Sequence, residues 1–157
     1  MESNNEVNIQ VIEYDINSDA AYVLLQELSN TLHLITGNSG EASFNKKDVL
    51  EDRSIFVIAT IENEPIGCGA IRRIDDYTAE VKRMYARKNK YGVGTCILNY
   101  LENKAKDYGY TTLICETRKI NQGAVAFYLK NGFHIIENYG KYVGHDEAVC
   151  FEKKIDI

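Results

Sequence analysis

Gly92 and Gly94 stand two residues apart, just after the basic run Arg87-Lys88-Asn89-Lys90 and just before an amphipathic stretch. A glycine has no Cβ, so its backbone can approach a ligand closely and can take a positive φ. The first N–H groups of a following helix have no intrahelical partner, and the helix dipole adds partial positive charge there. A basic glycine turn that opens a helix therefore suits a phosphate. Two common phosphate loops do not fit. A dinucleotide fingerprint needs a third glycine where Ile97 stands, and a Walker loop needs Gly-Lys-Ser/Thr where Gly94 is followed by Thr95 and Cys96. The two glycines alone also fit a plain tight turn.

Arg72 and Arg73 are a second pair with chemistry to offer. As strand neighbours they face opposite sides, so one is solvated and the other can enter a cleft. A guanidinium fork matches a carboxylate bidentately.

The elements that must position these groups follow from periodicity. Residues 7–14 alternate as a strand, and from Ala20 onward Leu25, Leu28 and Leu32 form a helical stripe. Thr36-Gly37-Asn38-Ser39-Gly40 breaks that helix, either as a plain connection or as a substrate-side loop. Residues 45–52 read as a short helix. Residues 54–61 and 66–74, joined through Asn63-Glu64-Pro65, read as a hairpin. Residues 78–86 form a further strand, with Glu80, Lys82 and Met84 on one face and Val81, Arg83 and Tyr85 on the other. A helix over 96–108 ends at Gly109. A buried strand over 111–116 precedes a helix that Asn121 starts and Asn131-Gly132 stops. Strands over 133–137 and 147–155 flank a loop rich in glycine and tyrosine at 139–145. This order implies an α/β fold.

Two stretches together resemble the Gcn5-related N-acetyltransferases, the GNAT superfamily. Asn89-x-x-Gly92-x-Gly94 matches that family's Gln/Arg-x-x-Gly-x-Gly/Ala motif except at Asn89, while Lys88 and Lys90 keep the turn basic. Asn121-Gln122-Gly123-Ala124-Val125-Ala126-Phe127-Tyr128-Leu129-Lys130-Asn131-Gly132-Phe133 resembles its Asn-x-x-Ala-x-x-Phe-Tyr-x-Lys-x-Gly-Phe signature. The resemblance is densest over residues 66–136. It implies a mixed, mostly antiparallel central sheet with helices on both faces, splayed at the central strand, in a single domain over 7–157 behind a disordered tail, 1–6. It also implies a bulge near Met84 and Tyr85.

The implied reaction moves an acetyl group from acetyl-CoA to a primary amine. The resemblance assigns the co-substrate to Met84, Tyr85, Ala86, Asn89, Lys90, Tyr91, Gly92, Val93, Gly94, Thr95, Asn121 and Ala124. It makes Tyr128 the general acid that protonates the departing thiolate. An amine is mostly protonated near neutral pH, so a carboxylate base would help. Glu80, on the central strand, is the candidate, its alternative being an ion pair with Lys82 or Arg72. The acceptor would meet Thr36, Ser39, Ser43, Phe44 and Arg72 or Arg73. An acceptor with a carboxylate fits the arginines best, as a free amino acid or a short peptide N-terminus. A polyamine, an aminoglycoside, a protein acceptor, or an acetyl-CoA sensor without turnover are the alternatives.

The composition bounds the rest. A net charge of -5 argues against a general nucleic-acid binder, although Lys82, Arg83, Arg87, Lys88 and Lys90 make a local basic patch. No apolar run reaches the ~20 residues of a membrane helix, and the N-terminus is polar, so a cytoplasmic protein is expected. Cys68, Cys96, Cys115 and Cys150 sit among apolar neighbours without Cys-x-x-Cys spacing and read as reduced core residues. His33, His134 and His145 are scattered, and no metal site is expected. A monomer or a homodimer is expected, the latter through edge pairing of the last strand.

Overall fold

The computed structural model describes residues 7–87 and 91–155. The elements are β1 (Ile9–Glu13), α1 (Asp19–Thr36), β2 (Ile55–Ile61), β3 (Glu64–Arg73), β4 (Thr78–Ala86), α2 (Val93–Asp107), β5 (Thr112–Arg118), α3 (Gln122–Lys130), β6 (His134–Ile136) and β7 (Ala148–Lys154). They build one seven-stranded sheet in the order β1-β2-β3-β4-β5-β7-β6. All pairings are antiparallel except β4 with β5. The mixed, mostly antiparallel architecture expected from the sequence is the one observed.

Both faces of the sheet are covered, which is why β2 reads as an almost unbroken apolar run. Ile55, Val57 and Ala59 pack with Ile97, Leu98 and Leu101 of α2. Their neighbours Phe56 and Ile58 pack with Leu24 and Leu25 of α1. Each such buried aliphatic side chain stabilises the fold by about 1.5–3 kcal/mol. Ser18 starts α1 by accepting from the Ala21 N–H at 3.2 Å, and Gly37 ends it at φ 81°.

The seam between β4 and β5 decides where a site can form. β4 pairs with β3 along nearly its whole length, but with β5 only over Thr78–Glu80 against Thr112–Ile114. β5 meanwhile pairs with β7 from Thr112 to Arg118. Beyond Glu80 the two central strands part, as the resemblance implied.

β4 also bulges, at Arg83 and Met84. Cys68 faces Tyr85 and Ala70 faces Lys82, so two residues of β4 lie opposite Gly69 alone. Arg83 takes φ 53°, an unusual conformation for a side chain of its size. Gly69 is required here, because a Cβ on it would lie 2.6 Å from Met84 Sδ. The bulge overturns the simple alternation read from the sequence. Met84 joins Val81 in the core under α2, while Arg83 and Tyr85 turn toward α1 with Lys82.

The short helix expected over residues 45–52 is a 3₁₀ turn at Lys46–Val49, capped by Asn45 Oδ1, which accepts from the Lys47 N–H at 2.9 Å. Two further expectations are corrected. α2 begins at Val93, not Cys96, because Gly92 supplies its N-cap in the left-handed region. The last strand is not an edge: β7 lies between β5 and β6, so β6 forms that border and edge pairing through β7 is closed off.

Candidate active site

The parting of β4 from β5 opens a cleft of about 430 Å³. On the α1 side its wall includes Leu32, Thr36, Ala42 and Ser43. Val81 to Met84 and Glu116 to Arg118 line the gap itself, and Asn121, Ala124 and Tyr128 of α3 close the far side. The connection from β6 to β7 covers one end with Lys141, Tyr142 and His145. Chain breaks in pairing expose backbone groups, and here they do so along β4 beyond Glu80.

Tyr128 is 7% exposed and wedged among Phe127, Phe133 and Phe151, with ring centroids 5.3–5.6 Å away. Burial pushes its phenol well above the ordinary range, and its bond with the Cys115 thiol adds to that. The protonated phenol is therefore the favoured form there.

Glu80 is 1% exposed, with both oxygens occupied. Arg72 Nε donates to Oε1 at 2.7 Å and the Tyr139 hydroxyl donates to Oε2 at 2.6 Å. Arg72 also stands 3.5 Å from Asp48. Glu80 thus ties β3, β4 and the β6–β7 connection together. It lines a separate hollow with Arg72, Asp48 and Phe44, on the closed side of the seam.

Glu116 was not singled out in the sequence, and its placement differs. Its side chain is 13% exposed. Oε2 is buried without a hydrogen bond among the described residues, and the nearest cation, Arg118 Nε, is 3.9 Å away. Burial raises its pKa, with Lys82, Arg118 and the Tyr142 hydroxyl pulling the other way. Lys82, whose amine burial drives down, points into the same cleft and reaches the Tyr142 hydroxyl at 3.4 Å. A carboxylate that closes the apolar run 112–115 was the available signal for Glu116.

The two arginines of the sequence motif separate as strand geometry requires. Arg72 faces the hollow with Glu80; burial lowers its pKa, but the Glu80 bond together with the charges of Glu80 and Asp48 raises it on balance. Arg73 turns outward to Asp76 at 2.6 Å. Of the expected acceptor contacts, Thr36 and Ser43 line the cleft, Phe44 lines the neighbouring hollow, and Ser39 lines neither. Thr36 and Ser43 already donate their hydroxyls to Leu32 or Asn38 and to Gly40 carbonyls at 2.9 Å.

The glycine turn fits an anionic group. Gly92 has φ 74°, and among the described residues nothing stands within 4 Å of where its Cβ would be. Intrahelical bonding begins with the Cys96 N–H on Gly92 at 3.0 Å, so the N–H groups before it lie outside the helix's own ladder. Gly94 has a different task, since a Cβ on it would meet Phe127 at 3.0 Å. It lets α2 pack closely against Phe127 of α3. Asn121 commits Oδ1 to the Ala124 N–H at 3.2 Å as the N-cap of α3, leaving its amide nitrogen as the group to face the cleft. Lys88, Asn89 and Lys90 lie outside the described residues. No group of three or more metal-ligating side chains occurs among the described residues, and none of their helices is long and apolar enough to cross a membrane. The four cysteines are unpaired thiols, with Cys68 pushed up to about 12 by burial.

A splayed parallel seam beside a bulged strand and a glycine-started helix defines an acyltransferase. The model of the acetyltransferase (GNAT) family matches residues 22–133, and the chain belongs to that family. Its co-substrate is acetyl-CoA. An IAA acetyltransferase of Azospirillum brasilense is 26% identical over 150 residues, covering 94% of this chain and 97% of that protein. N-alpha-acetyltransferase 50 of Danio rerio is 31% identical over 120 residues, covering 69% and 70%. Two solved structures share the fold. An acetyltransferase from Streptococcus agalactiae is 21% identical, with a TM-score of 0.73 over 93% of this chain and 98% of that one. A GNAT family acetyltransferase from Elizabethkingia anophelis with acetyl-CoA bound is 19% identical, with a TM-score of 0.69 over 94% and 98%.

Proposed function

We propose that this protein acetylates the primary amine of a small acceptor by direct attack, with Tyr128 as general acid and Glu116, rather than Glu80, as general base. One observation carries the reading: the open end of the β4–β5 seam brings an underbonded buried carboxylate and a buried phenol to one cleft.

Acetyl-CoA supplies an acyl group on a thiol leaving group. The first turn of α2 from Gly92 to Thr95 would hold its diphosphate, together with the basic turn before it. The edge of β4 from Val81 to Ala86, unpaired with β5, offers backbone groups to the pantetheine arm through Met84 and Ala86. A backbone N–H at the bulge would take the negative charge that develops on the acyl oxygen. Such donors are worth on the order of 10²–10³ in rate elsewhere.

Glu116 takes a proton from the acceptor ammonium, directly or through one water. Its raised pKa brings it closer to the amine's and makes that transfer less uphill. The amine nitrogen bonds to the acyl carbon, the carbon–sulfur bond breaks as Tyr128 gives its proton to the sulfur, and the second proton of the attacking nitrogen returns to the Tyr128 phenolate through water, leaving a neutral amide and free thiol. Glu80 is poorly suited to the base role, because a proton would have to displace Arg72 or Tyr139.

The cleft lining also sorts acceptors. Lys82, Arg83, Arg118 and Lys141 outnumber Glu116 and Glu147. A polyamine or an aminoglycoside would meet like charge there. A free amino acid or a short peptide N-terminus fits better.

The test is release of free CoA thiol from acetyl-CoA with amino acids, amino-acid amides, dipeptides, polyamines and aminoglycosides, against a blank without amine. Release above the blank with one amine class supports the transferase and names its acceptor. If acetyl-CoA shifts the melting temperature but no amine yields thiol, small-molecule transfer is wrong and a sensor or a protein acceptor takes its place.

A further inference from the structure

Arg83 is built differently from the other arginines. Arg53, Arg72, Arg73, Arg87 and Arg118 each have a carboxylate within 4.0 Å. Arg83 has none among the described residues, although it is half-buried. Its Nε is buried and donates to nothing among them. A cation taken from water without a counter-ion or full hydrogen bonding costs stability.

The position is nevertheless held firmly. The bulge fixes the backbone at φ 53°. Nη2 donates to Ser29 Oγ at 2.7 Å, and Ser29 is itself only 3% exposed on α1. The guanidinium lies 5.8 Å from the Phe44 ring centroid. Gly40 leaves it room, since a Cβ there would stand 3.4 Å from Nη1. The acidic groups that face it, Glu41 and the Cys68 thiol, act on it only through their field. The side chain sits on the α1-side wall of the cleft that Glu116 and Tyr128 also line. The same bulge that frees the β4 edge thus turns a fixed, unpaired cation toward the side from which an acceptor would come.

We infer that Arg83 is the seat of the acceptor's anionic group, and that the acceptor is a primary amine that also carries a carboxylate. Arg72 is not that seat, because Glu80 and Asp48 already neutralise it. A carboxylate in the cleft supplies the counter-ion that the guanidinium lacks, met through Nη1, which lies beside Gly40 of the cleft lining while Ser29 holds Nη2. Ser29 is the positioning residue, because its bond fixes the guanidinium in that orientation. The inference rests on the transferase reading of this cleft.

The experiment compares sets of amines that differ in one group: an amino acid, its amide, its decarboxylated amine and the aminoalkyl phosphonate of the same length. Wild type, Arg83→Gln and Ser29→Ala are assayed with each, and acetyl-CoA affinity is measured by calorimetry on all three. Wild type should favour the carboxylate at least about tenfold in kcat/KM over each of the others, in line with a charge-assisted pair. Arg83→Gln should erase that preference through KM, with kcat and acetyl-CoA affinity nearly unchanged. Ser29→Ala should raise KM for the carboxylate severalfold without touching the bulge. The inference is overturned if Arg83→Gln keeps the preference, or if the amide, the amine or the phosphonate is the better wild-type substrate. If wild type turns over none of them, the transfer reading fails separately. Calorimetry of the amino acid against the amide on the CoA complex then decides the seat, which is lost if binding does not depend on Arg83.

Discussion

The two ends of the β4–β5 seam make opposite uses of a carboxylate. At the closed end, where Thr78–Glu80 pairs with Thr112–Ile114, Glu80 is surrounded by donors and fixes three parts of the chain. At the open end, Glu116 is nearly as well hidden but keeps an oxygen without a hydrogen bond. Residue type and burial are similar, and hydrogen-bond supply differs. A satisfied buried carboxylate is a structural tie, whereas an underbonded one is available to take a proton.

The largest expected effect tests whether the open end does the chemistry. Tyr128→Phe keeps the ring packing and removes only the hydroxyl. It should lower kcat on the order of 10²–10⁴ while acetyl-CoA affinity measured by calorimetry stays put. An unchanged kcat removes Tyr128 from the mechanism.

Exchanging the two carboxylates sharpens the contrast. Glu116→Gln should cost on the order of 10² in kcat/KM and abolish the ascending limb of the pH–rate profile. Glu80→Gln should leave that limb in place and act on stability instead, by about 1–3 kcal/mol in denaturant unfolding, because it weakens a charge-assisted bond to Arg72. If the limb follows Glu80, the assignment of the two ends is reversed.

Stability against pH offers a smaller effect. The folded pKa of Glu116 is raised, so the stability it allows is fully present below its unfolded pKa and is lost as pH rises through the folded one. Glu116→Gln should therefore gain on wild type as pH rises, with the difference vanishing in acid. Glu27 has the opposite sign. Arg87 binds it with two bonds of 2.7 Å and lowers its pKa, so its contribution exists above the unfolded value and fades as pH falls through the folded one. Glu27→Gln should thus lose most near neutral pH. Melting curves between pH 4 and 8 would show both trends.

The smallest effects concern the glycines. Gly92→Ala strains a left-handed residue, and Gly94→Ala crowds Phe127, each by about 1 kcal/mol. Gly94→Ala should also weaken acetyl-CoA binding if α2 and α3 must close against each other, which a calorimetric titration would reveal.

Much of the fold was legible because its signals are local. The apolar runs of β2 and β3, the stripe of α1 and the Asn121 cap each depend on a few neighbouring residues. So do the glycines at 92 and 94, which with the 121–133 signature carried the expectation of where acetyl-CoA binds. Tyr128 belonged to that signature, and the structure sets it on the cleft wall. The acceptor end was read less well. Strand alternation put Met84 with Glu80 and Arg83 with Val81, and one bulged residue exchanged them.

The sequence by itself determined the elements, their order and the chemical identity of the turn before α2, because hydrophobic period and capping act over a few residues. Only the tertiary structure decided which carboxylate is tied and which is open. That depends on Arg72 from β3 and Tyr139 from the β6–β7 connection converging on Glu80, while nothing among the described residues satisfies Glu116 Oε2. It also decided that Arg83 bonds to Ser29 of α1 with no carboxylate within 4.0 Å among the described residues. Hydrogen-bond supply at a buried group is set by partners far apart in the chain, and no local pattern records it.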